Sequence, residues 1–260
     1  MPSAQASAFL ARTSGLNQKE SQAFIYLINT LVTAGLWTMF DLLYVLATNS
    51  EANAQLNLIN TSFTLTKHGS LTFTSDVGYT GDGATGYLDS GYNSSGGSNT
   101  NYLLNSGSLG AYIQTVKTAA DGSVIFGGGS PTSFSYLSPN NTGQVFNFDV
   151  NDFNFPSFST ATGTGSQGAW ISSRTNSTTL NMYKNGSATS VASSSSANSS
   201  LAPSFYLFCL YDSSVGGPDH FSPLQASIFF VSAGLTGAQA VTINNTFNTF
   251  MSRISGSNVY

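Results

Sequence analysis

A regular succession of short apolar runs and turn-forming clusters is the feature that most constrains how this chain folds. From about residue 61 the runs recur roughly every 8 to 12 residues, separated by Gly, Asn, Ser and Asp, with no helical pattern between them. They cover residues 63–67, 71–74, 86–89, 111–116, 123–126, 134–137, 145–150, 169–173, 180–183, 189–193, 205–211 and 224–231. This many strands without intervening helices predicts an all-β fold, an antiparallel β-sandwich or barrel.

An amphipathic helix is predicted before the first of these runs. Asn17 and Glu20 have the spacing of a capping box, and apolar residues then recur at helical intervals, which predicts a helix over residues 18–34. The apolar and aromatic stretch that follows, residues 40–46, is typical of a buried strand.

A short C-terminal helix is predicted to close the fold. Thr236 and Gln239 again have capping-box spacing, and an apolar face follows over residues 237–253. We therefore divide the chain into residues 1–60, a helix-led segment, and residues 61–260, the sandwich with its closing helix. The first segment is interpreted either as an attachment part or as the first strand of the sandwich.

The composition and the apolar runs argue against nucleic-acid binding and against a membrane-spanning segment. Charged residues make up 7% of the chain, and its seven Lys and Arg are scattered, so no basic stripe is present to bind nucleic acid. The longest apolar runs, 42–47 and 205–211, are much shorter than the roughly 20 residues needed to cross a membrane. The N-terminus lacks the pattern of a secretory signal, so we expect synthesis and release in the cytoplasm.

The single cysteine, Cys209, lies in an apolar run and is predicted to be buried and inert.

The stretch GDGATG, residues 81–86, has the G-x-G-x-x-G spacing of a dinucleotide-binding loop. Such a loop must open a helix, but the residues after Gly86 have the pattern of a strand, so we interpret the stretch as a β turn. Asp76, Asp82 and Asp89 surround it and are the candidates for a calcium site. Their spacing differs from that of an EF-hand, and Asp and Gly are also common in tight turns, so an ordinary turn is the competing interpretation. Calcium is the only cofactor that the sequence leaves open.

No recognisable enzyme motif is present. Both glutamates, Glu20 and Glu51, precede the β region, so a glycosidase carboxylate pair would have to consist of aspartates. Only His68 and His220 could serve as a base for a serine nucleophile, and no G-x-S-x-G elbow occurs. Two histidines and one cysteine make no recognisable zinc ligand set. The sequence predicts a protein that is not an enzyme, with no catalytic residues.

The candidates for glycan contact surround Gly216-Gly217-Pro218. Asp212, Asp219 and His220 flank this loop, which is interpreted as a sugar or ion loop or as an ordinary hairpin loop. Tyr211 precedes it and, like the loop-adjacent Tyr79 and Tyr92, is a candidate for stacking on a sugar ring, although a lone Tyr at a strand end more often serves packing.

Two segments carry a resemblance to a known family. Residues 168–236, from GAWISS through the Tyr-x-Asn-Gly turn to QASIFFVSAGLT, resemble the second half of a laminin-G-like or concanavalin A-like jelly roll. VGYTGDGATGYLDSGYN resembles an early strand pair of the same family. The resemblance implies a concanavalin A-like sandwich, and it carries no catalytic or ligand residue. The E-x-D-x-E motif of the glucanase members is absent.

The chain runs from FLARTSGLN through the amphipathic helix to GLWTMFDLLYVLAT, LNLINTSFTLT and GYTGDGATGYLDSGYN. This arrangement resembles a narrower group, the virion proteins of tailed bacteriophages and prophages. It implies assembly in the host cytoplasm, a place in the virion and other virion proteins as partners. Our first hypothesis is a non-enzymatic structural component, a head or tail decoration or a fibre that displays a lectin-like sandwich. The alternative is a glycan-binding adhesion module that recognises host surface polysaccharide. A homo-oligomer is left open, although no heptad repeat indicates a coiled coil.

Overall fold

Two β-sheets packed face to face form the body of the protein, and helices cover the outer side of one of them. The computed structural model describes residues 1–94, 101–116, 121–141, 145–152, 157–159, 165–193 and 204–255. The fold-class prediction is confirmed, because the chain is mostly β and its two sheets form a sandwich with a helix near each end. Within the described parts of the chain, no helix has both the length and the apolar character needed to span a membrane.

The helices are four in the described residues. They are α1 (Ala4–Leu10), α2 (Gln18–Thr33), α3 (Glu51–Ala54) and α4 (Gly237–Ile254). The capping boxes predicted for α2 and α4 are both formed: Asn17 and Thr236 accept from the backbone N–H of the third helical residue, whose side chain accepts in return. A single 3-10 turn, Trp37–Met39, leads into the first strand.

One sheet has eight strands among the described residues. In spatial order they are β13 (Ser187–Ser193), β12 (Thr179–Lys184), β11 (Gly168–Arg174), β6 (Gly107–Ile113), β17 (Gln225–Ser232), β4 (Gly78–Gly81) and β3 (Leu71–Thr74), with β1 (Phe40–Val45) also paired to β17. The strand predicted over residues 40–46 is therefore part of this sheet, and its register places Tyr44 opposite Phe229.

The other sheet has nine strands in the same described ranges. Seven follow in the order β10 (Ser157–Ser159), β9 (Val145–Asp152), β8 (Ser133–Asn141), β7 (Phe126–Ser130), β14 (Tyr206–Leu207), β5 (Tyr87–Asp89) and β2 (Thr66–His68). The remaining two are β15 (Leu210–Asp212), which pairs parallel to β7, and β16 (Gly217–Asp219), which pairs antiparallel to β15.

Alternation along the strands separates two apolar layers. In β1, Leu42 and Tyr44 join the core between the sheets, whereas Leu43 and Val45 face the helices. The helical layer packs on that second set, and Phe24 of α2 contacts Phe250 of α4 with ring centroids 5.1 Å apart. Helices α1, α2 and α4 all belong to this layer, so they cover the eight-stranded sheet and not the nine-stranded one.

The run predicted as one strand over residues 205–211 is two short strands. Phe208 has a φ of 68°, in the left-handed region that a strand residue does not adopt, and the chain bends there between β14 and β15. The bend allows β14 to pair antiparallel and β15 to pair parallel with the same strand, β7.

Three further differences from the predicted strands have a common cause, which is glycine or proline inside a strand. β4 and β16 were not predicted because their Gly and Pro residues are typical of turns. β7 was predicted too early along the chain because its sequence is FGGGS. Strand β10 and the short helices α1 and α3 were also not predicted from the sequence.

Candidate functional site

The outer face of the nine-stranded sheet carries aromatic side chains. On β9, Phe146 and Phe148 point into the core between the sheets. On the neighbouring strand β8, Leu137 joins them, whereas Phe134 and Tyr136 belong to a separate small cluster with Val124 and Leu210. Because strand side chains alternate between faces, this second cluster lies on the opposite, outer face of the sheet.

The outer cluster forms the walls of a pocket of about 460 Å³. Its lining residues are Gly122, Val124, Phe134, Tyr136, Ser138, Asn147, Leu210, Asp212 and His220. Val124, Tyr136 and Leu210 are buried, and Phe134 is half-buried, so the walls are apolar and aromatic. Burial raises the pKa of the Tyr136 hydroxyl well above its usual range, which keeps the phenol neutral.

Two glycines of β7 make room for the aromatic walls. Gly127 lies opposite Tyr136 in the sheet, and Gly129 lies opposite Phe134. A Cβ at either glycine would overlap the aromatic residue that faces it. The same glycines that made β7 hard to predict therefore leave room for Tyr136 and Phe134 beside the strand.

Asp212 presents a carboxylate to the pocket from the end of β15. The residue is only 8% exposed, and its Oδ1 accepts the backbone N–H of Ser214 at 2.7 Å. Its other oxygen, Oδ2, has no hydrogen bond or ion pair with any residue that the structure describes. One oxygen of Asp212 thus holds the hairpin, and the other is available to a ligand.

His220 borders the same pocket immediately after β16. Its Nδ1 lies 3.2 Å from Asp219 Oδ2, and its backbone N–H donates to Asp219 Oδ1 at 2.7 Å. Its carbonyl accepts the N–H of Val124 at 2.7 Å, which ties the residue to the pocket wall. The φ of His220 is 54°, so the backbone adopts the left-handed region where the chain leaves β16.

A ladder of stacked rings adjoins the pocket on the outer face. His68 and Tyr87 stack with centroids 4.6 Å apart, Tyr87 and Tyr206 follow at 4.8 Å, and Tyr206 meets Tyr211 edge-on at 5.1 Å. All four are half-buried. Since Tyr87 has a ring against each face, it presents its edge to solvent. Burial and then the nearby Asp89 raise the pKa of Tyr206 well above its usual range.

The structure brings the four predicted glycan-contact residues together. Asp212 and His220 line the pocket, Asp219 contacts His220, and Tyr211 ends the ladder beside Asp212. The other two tyrosines considered for sugar stacking are in the core: Tyr79 and Tyr92 are 0% and 2% exposed. For these two the packing interpretation is confirmed, because each follows a turn but points between the sheets.

Sequence reasoning missed the wall and rim residues supplied by β8 and β9. Phe134, Tyr136 and Asn147 come from runs that were predicted as strands, with no way to say which face each residue occupies. The alternation of aromatic and small residues in SFSYLS was the available signal, but it fits either face of a sheet.

The three aspartates proposed for calcium lie at separate places. Asp82 sits in the turn of residues 81–86, Asp89 is in β5, and Asp76 contacts Glu20 at the start of α2. Across the described ranges, no three His, Cys, Asp or Glu side chains are close enough together to hold a metal ion.

The interpretation of GDGATG as a turn is confirmed. Asp82 Oδ1 accepts the backbone N–H groups of Ala84, Thr85 and Gly86 at 2.8 to 3.0 Å, and β5 begins at the next residue. Desolvation acts to raise the pKa of Asp82, but the hydrogen bonds from Thr85, Ala84 and Gly86 outweigh it and hold the pKa well below its usual range.

Cys209 is buried with a free thiol, as predicted. Burial, with smaller contributions from Asp219 and Asp89, raises its pKa far above the ordinary value. A thiol held neutral in this way is a poor nucleophile and a poor metal ligand.

Comparison with known proteins identifies the fold but no family. No protein-family model matches the sequence, and no curated protein matches it. The botulinum neurotoxin serotype D binding domain superposes with a TM-score of 0.59 at 12% identity, covering 82% of this chain and 53% of that one. The binding domain of botulinum neurotoxin DC, solved in complex with rat synaptotagmin II, gives 0.56 at 11% identity over 81% and 52%. This chain therefore spans about half the length of the toxin domains it matches.

A second kind of neighbour matches over nearly its whole length. Domain 4 of AbnA, a GH43 extracellular arabinanase from Geobacillus stearothermophilus, was solved in complex with arabinotriose. It superposes with a TM-score of 0.50 at 14% identity, covering 79% of this chain and 98% of that one. At such identities the similarity shows a shared β-sandwich fold. The concanavalin A-like family and the phage resemblance stay predictions from the sequence.

Proposed function

We propose that this protein is a non-enzymatic glycan-binding module, with its ligand held on the outer face of the nine-stranded sheet. The observation that carries the proposal is the composition of the pocket there. Phe134 and Tyr136 form aromatic walls, and Asn147, Asp212 and His220 lie at its polar positions. A sugar ring has apolar C–H faces and a hydroxyl-bearing edge, and it is recognised by aromatic rings combined with a few planar polar groups.

The position of the pocket in the fold supports this proposal. The helical layer occupies the outer face of the eight-stranded sheet, so the opposite face is the broad sheet surface that α1, α2 and α4 leave uncovered. The ladder from His68 to Tyr211 extends the pocket along that surface. An extended glycan could therefore place one ring in the pocket and later rings along the tyrosine edges and hydroxyls.

The neighbours with the same fold are consistent with binding rather than chemistry. The toxin structures are binding domains, and the arabinanase domain was solved with arabinotriose. We extend the binding role, and not the particular ligands, to this chain. Among the described residues, Asp212 supplies the single carboxylate that lines the pocket, whereas glycosidases use two carboxylates that flank the scissile bond.

The virion assignment is retained as a proposal about location. A glycan-binding sandwich displayed on a phage particle, with other virion proteins as partners, would combine both hypotheses made from the sequence. Labelling purified virions with an antibody against this chain tests the location separately from binding, and absence of label from the particles would remove it.

The binding proposal is tested by screening the full chain on a glycan array and titrating the best ligand calorimetrically. Phe134→Ala combined with His220→Ala should weaken that binding at least about tenfold, because it removes one aromatic wall and one polar rim group. Tyr26→Ala is the matched control, since Tyr26 is a half-buried aromatic in the helical layer. Equal binding by the double variant and the control, or no binding to any glycan, would contradict the proposal.

A further inference from the structure

We propose that the pocket holds the protonated amine of an unacetylated amino sugar, with Asp212 Oδ2 as its acceptor. This inference rests on the proposed glycan-binding function and names the ligand class of the same site. It follows from the state of one carboxylate, the charges around it and the rings beside it.

The first argument is the environment of Asp212. More than nine-tenths of the residue is buried, yet its Oδ2 has no protein partner among the described residues and lines a pocket of about 460 Å³. Oδ2 keeps contact with solvent through the pocket, so a ligand can reach it, and a cation there would replace that water with a charge-assisted hydrogen bond. The neighbouring Ser214 N–H satisfies only Oδ1, and this bond fixes the carboxylate orientation. A ligand cation at Oδ2 would supply the missing partner without moving the hairpin.

The second argument is the sign of the charge. Asp212 lines the pocket, and Asp219 lies behind its lining residue His220, with His220 Nδ1 3.2 Å from Asp219 Oδ2. No Lys or Arg of the described residues lines the pocket. The basic side chains with defined contacts lie elsewhere: Lys67 pairs with Glu51, Arg174 with Asp152, Arg12 donates to Asn57, and Lys184 and Arg253 lie over Trp170 and Tyr26. A carboxylate-bearing sugar would meet repulsion here, and an ammonium would meet attraction.

The third argument is the wall of aromatic rings. Phe134 and Tyr136 form part of the same pocket as Asp212. Aromatic faces attract cations as well as the C–H faces of sugars, and the attraction strengthens where water is excluded. The pocket volume lies within the range of roughly 300 to 1,000 Å³ typical of small-molecule sites, which is adequate for a terminal ring. An amino sugar satisfies both the ring walls and the carboxylate.

The test uses three oligosaccharide probes of equal length with the full chain: a glucosamine oligomer, its fully N-acetylated form, and a galacturonate oligomer. They are titrated calorimetrically at a pH below the pKa of the amine. We expect the glucosamine oligomer to bind about tenfold more tightly than the acetylated one, and the galacturonate oligomer to bind least.

Asp212→Asn isolates the charge, because asparagine keeps an Oδ1 that accepts the Ser214 N–H. This variant should bind the glucosamine and acetylated oligomers about equally, while Glu51→Gln, which removes one negative charge from α3, should keep the wild-type preference. Equal binding of the two oligomers by the wild type, or an unchanged preference in Asp212→Asn, would overturn the inference.

The failure of this inference can be told apart from failure of the proposed function. If the acetylated oligomer binds as tightly as the amine and still depends on Phe134, the glycan site stands and the amine assignment falls. If none of the three probes binds and the array is also blank, the glycan-binding function falls, and the amine assignment falls with it.

Discussion

Tyr87 of β5 and Tyr206 of β14 stack across neighbouring strands, with ring centroids 4.8 Å apart and planes 25° from parallel. Tyr206 lies opposite Asp89 in the register, so the two rings are diagonal neighbours on the outer face. Cross-strand aromatic pairs of this kind stabilise a sheet beyond the area they bury. The ladder therefore holds β5 and β14 together while keeping tyrosine edges at the surface.

Tyr206, which lies between two rings of the ladder, and Tyr211, which lies at its end, are expected to respond differently to mutation. Tyr206→Ala removes two ring contacts and should lower the free energy of unfolding by about 1 to 2 kcal/mol. Tyr211→Ala removes only the edge contact at the end of the ladder, so it should cost less stability but weaken glycan binding. Urea unfolding and calorimetric titration of both variants check this. A larger stability loss for Tyr211→Ala than for Tyr206→Ala would be inconsistent with the ladder described.

The turn of residues 81–86 should be intolerant of larger side chains. A Cβ on Gly81 would overlap the carbonyl oxygen of Ser222, which is backbone and cannot move aside cheaply. We expect Gly81→Val to destabilise by about 3 kcal/mol or to prevent folding. Gly83→Ala, with φ at +70° but more open surroundings, should cost about 1 kcal/mol. Thermal unfolding measures both, and wild-type melting of Gly81→Val would contradict the close approach.

Because of Glu20, the free energy of unfolding is expected to fall as the pH rises. Burial, together with the nearby carboxyl of Asp76, raises its pKa, while the Asn17 N–H and Lys19 act in the opposite direction. A pKa raised in the folded state gives stability that is fully present below the unfolded value of about 4.3 and is lost as the pH rises through the folded value.

Glu20→Gln tests this sign, because glutamine retains the acceptor that receives the Asn17 N–H at 2.6 Å. The free energy of unfolding, measured against pH, should fall through that window in the wild type and stay flatter in the variant. A fall of the same size in both proteins would show that another group is responsible.

The N-terminal helices are expected to stabilise the sandwich itself. Phe24 is 1% exposed and contacts Phe9 and Phe250, with ring centroids 4.9 and 5.1 Å away. Phe24→Ala should cost about 3 to 5 kcal/mol and lower the midpoint of the whole unfolding transition. Urea unfolding monitored separately by helical and by aromatic signals checks this. A separate early transition, with the sandwich midpoint unchanged, would instead support residues 1–60 as an independent attachment unit.

Local signals in the sequence predicted the elements that local chemistry determines. The capping residues Asn17 and Thr236 fixed the starts of α2 and α4, and Asn185-Gly186, with φ of 51° and 77°, forms the tight hairpin that this dipeptide favours. Asp212, Asp219 and His220 could be predicted together for the same reason, because they belong to one hairpin and are close in sequence.

The rest of the site depends on strand order, which no local pattern encodes. Phe134, Tyr136 and Asn147 reach Asp212 because β15 pairs parallel to β7, and that pairing follows from the left-handed bend at Phe208. A phenylalanine in an apolar run gives no warning of such a bend. The pocket could therefore be recognised only once the sheet was assembled.

The central claim is that a glycan binds at the pocket on the outer face of the nine-stranded sheet. Nuclear magnetic resonance titration of the isotope-labelled full chain with an oligosaccharide selected on the array tests it most directly. We predict that backbone amide shifts concentrate on Asn147, Asp212 and His220 and leave α2 and α4 unchanged. Shifts confined to the helical layer, or no shifts at saturating oligosaccharide, would contradict it.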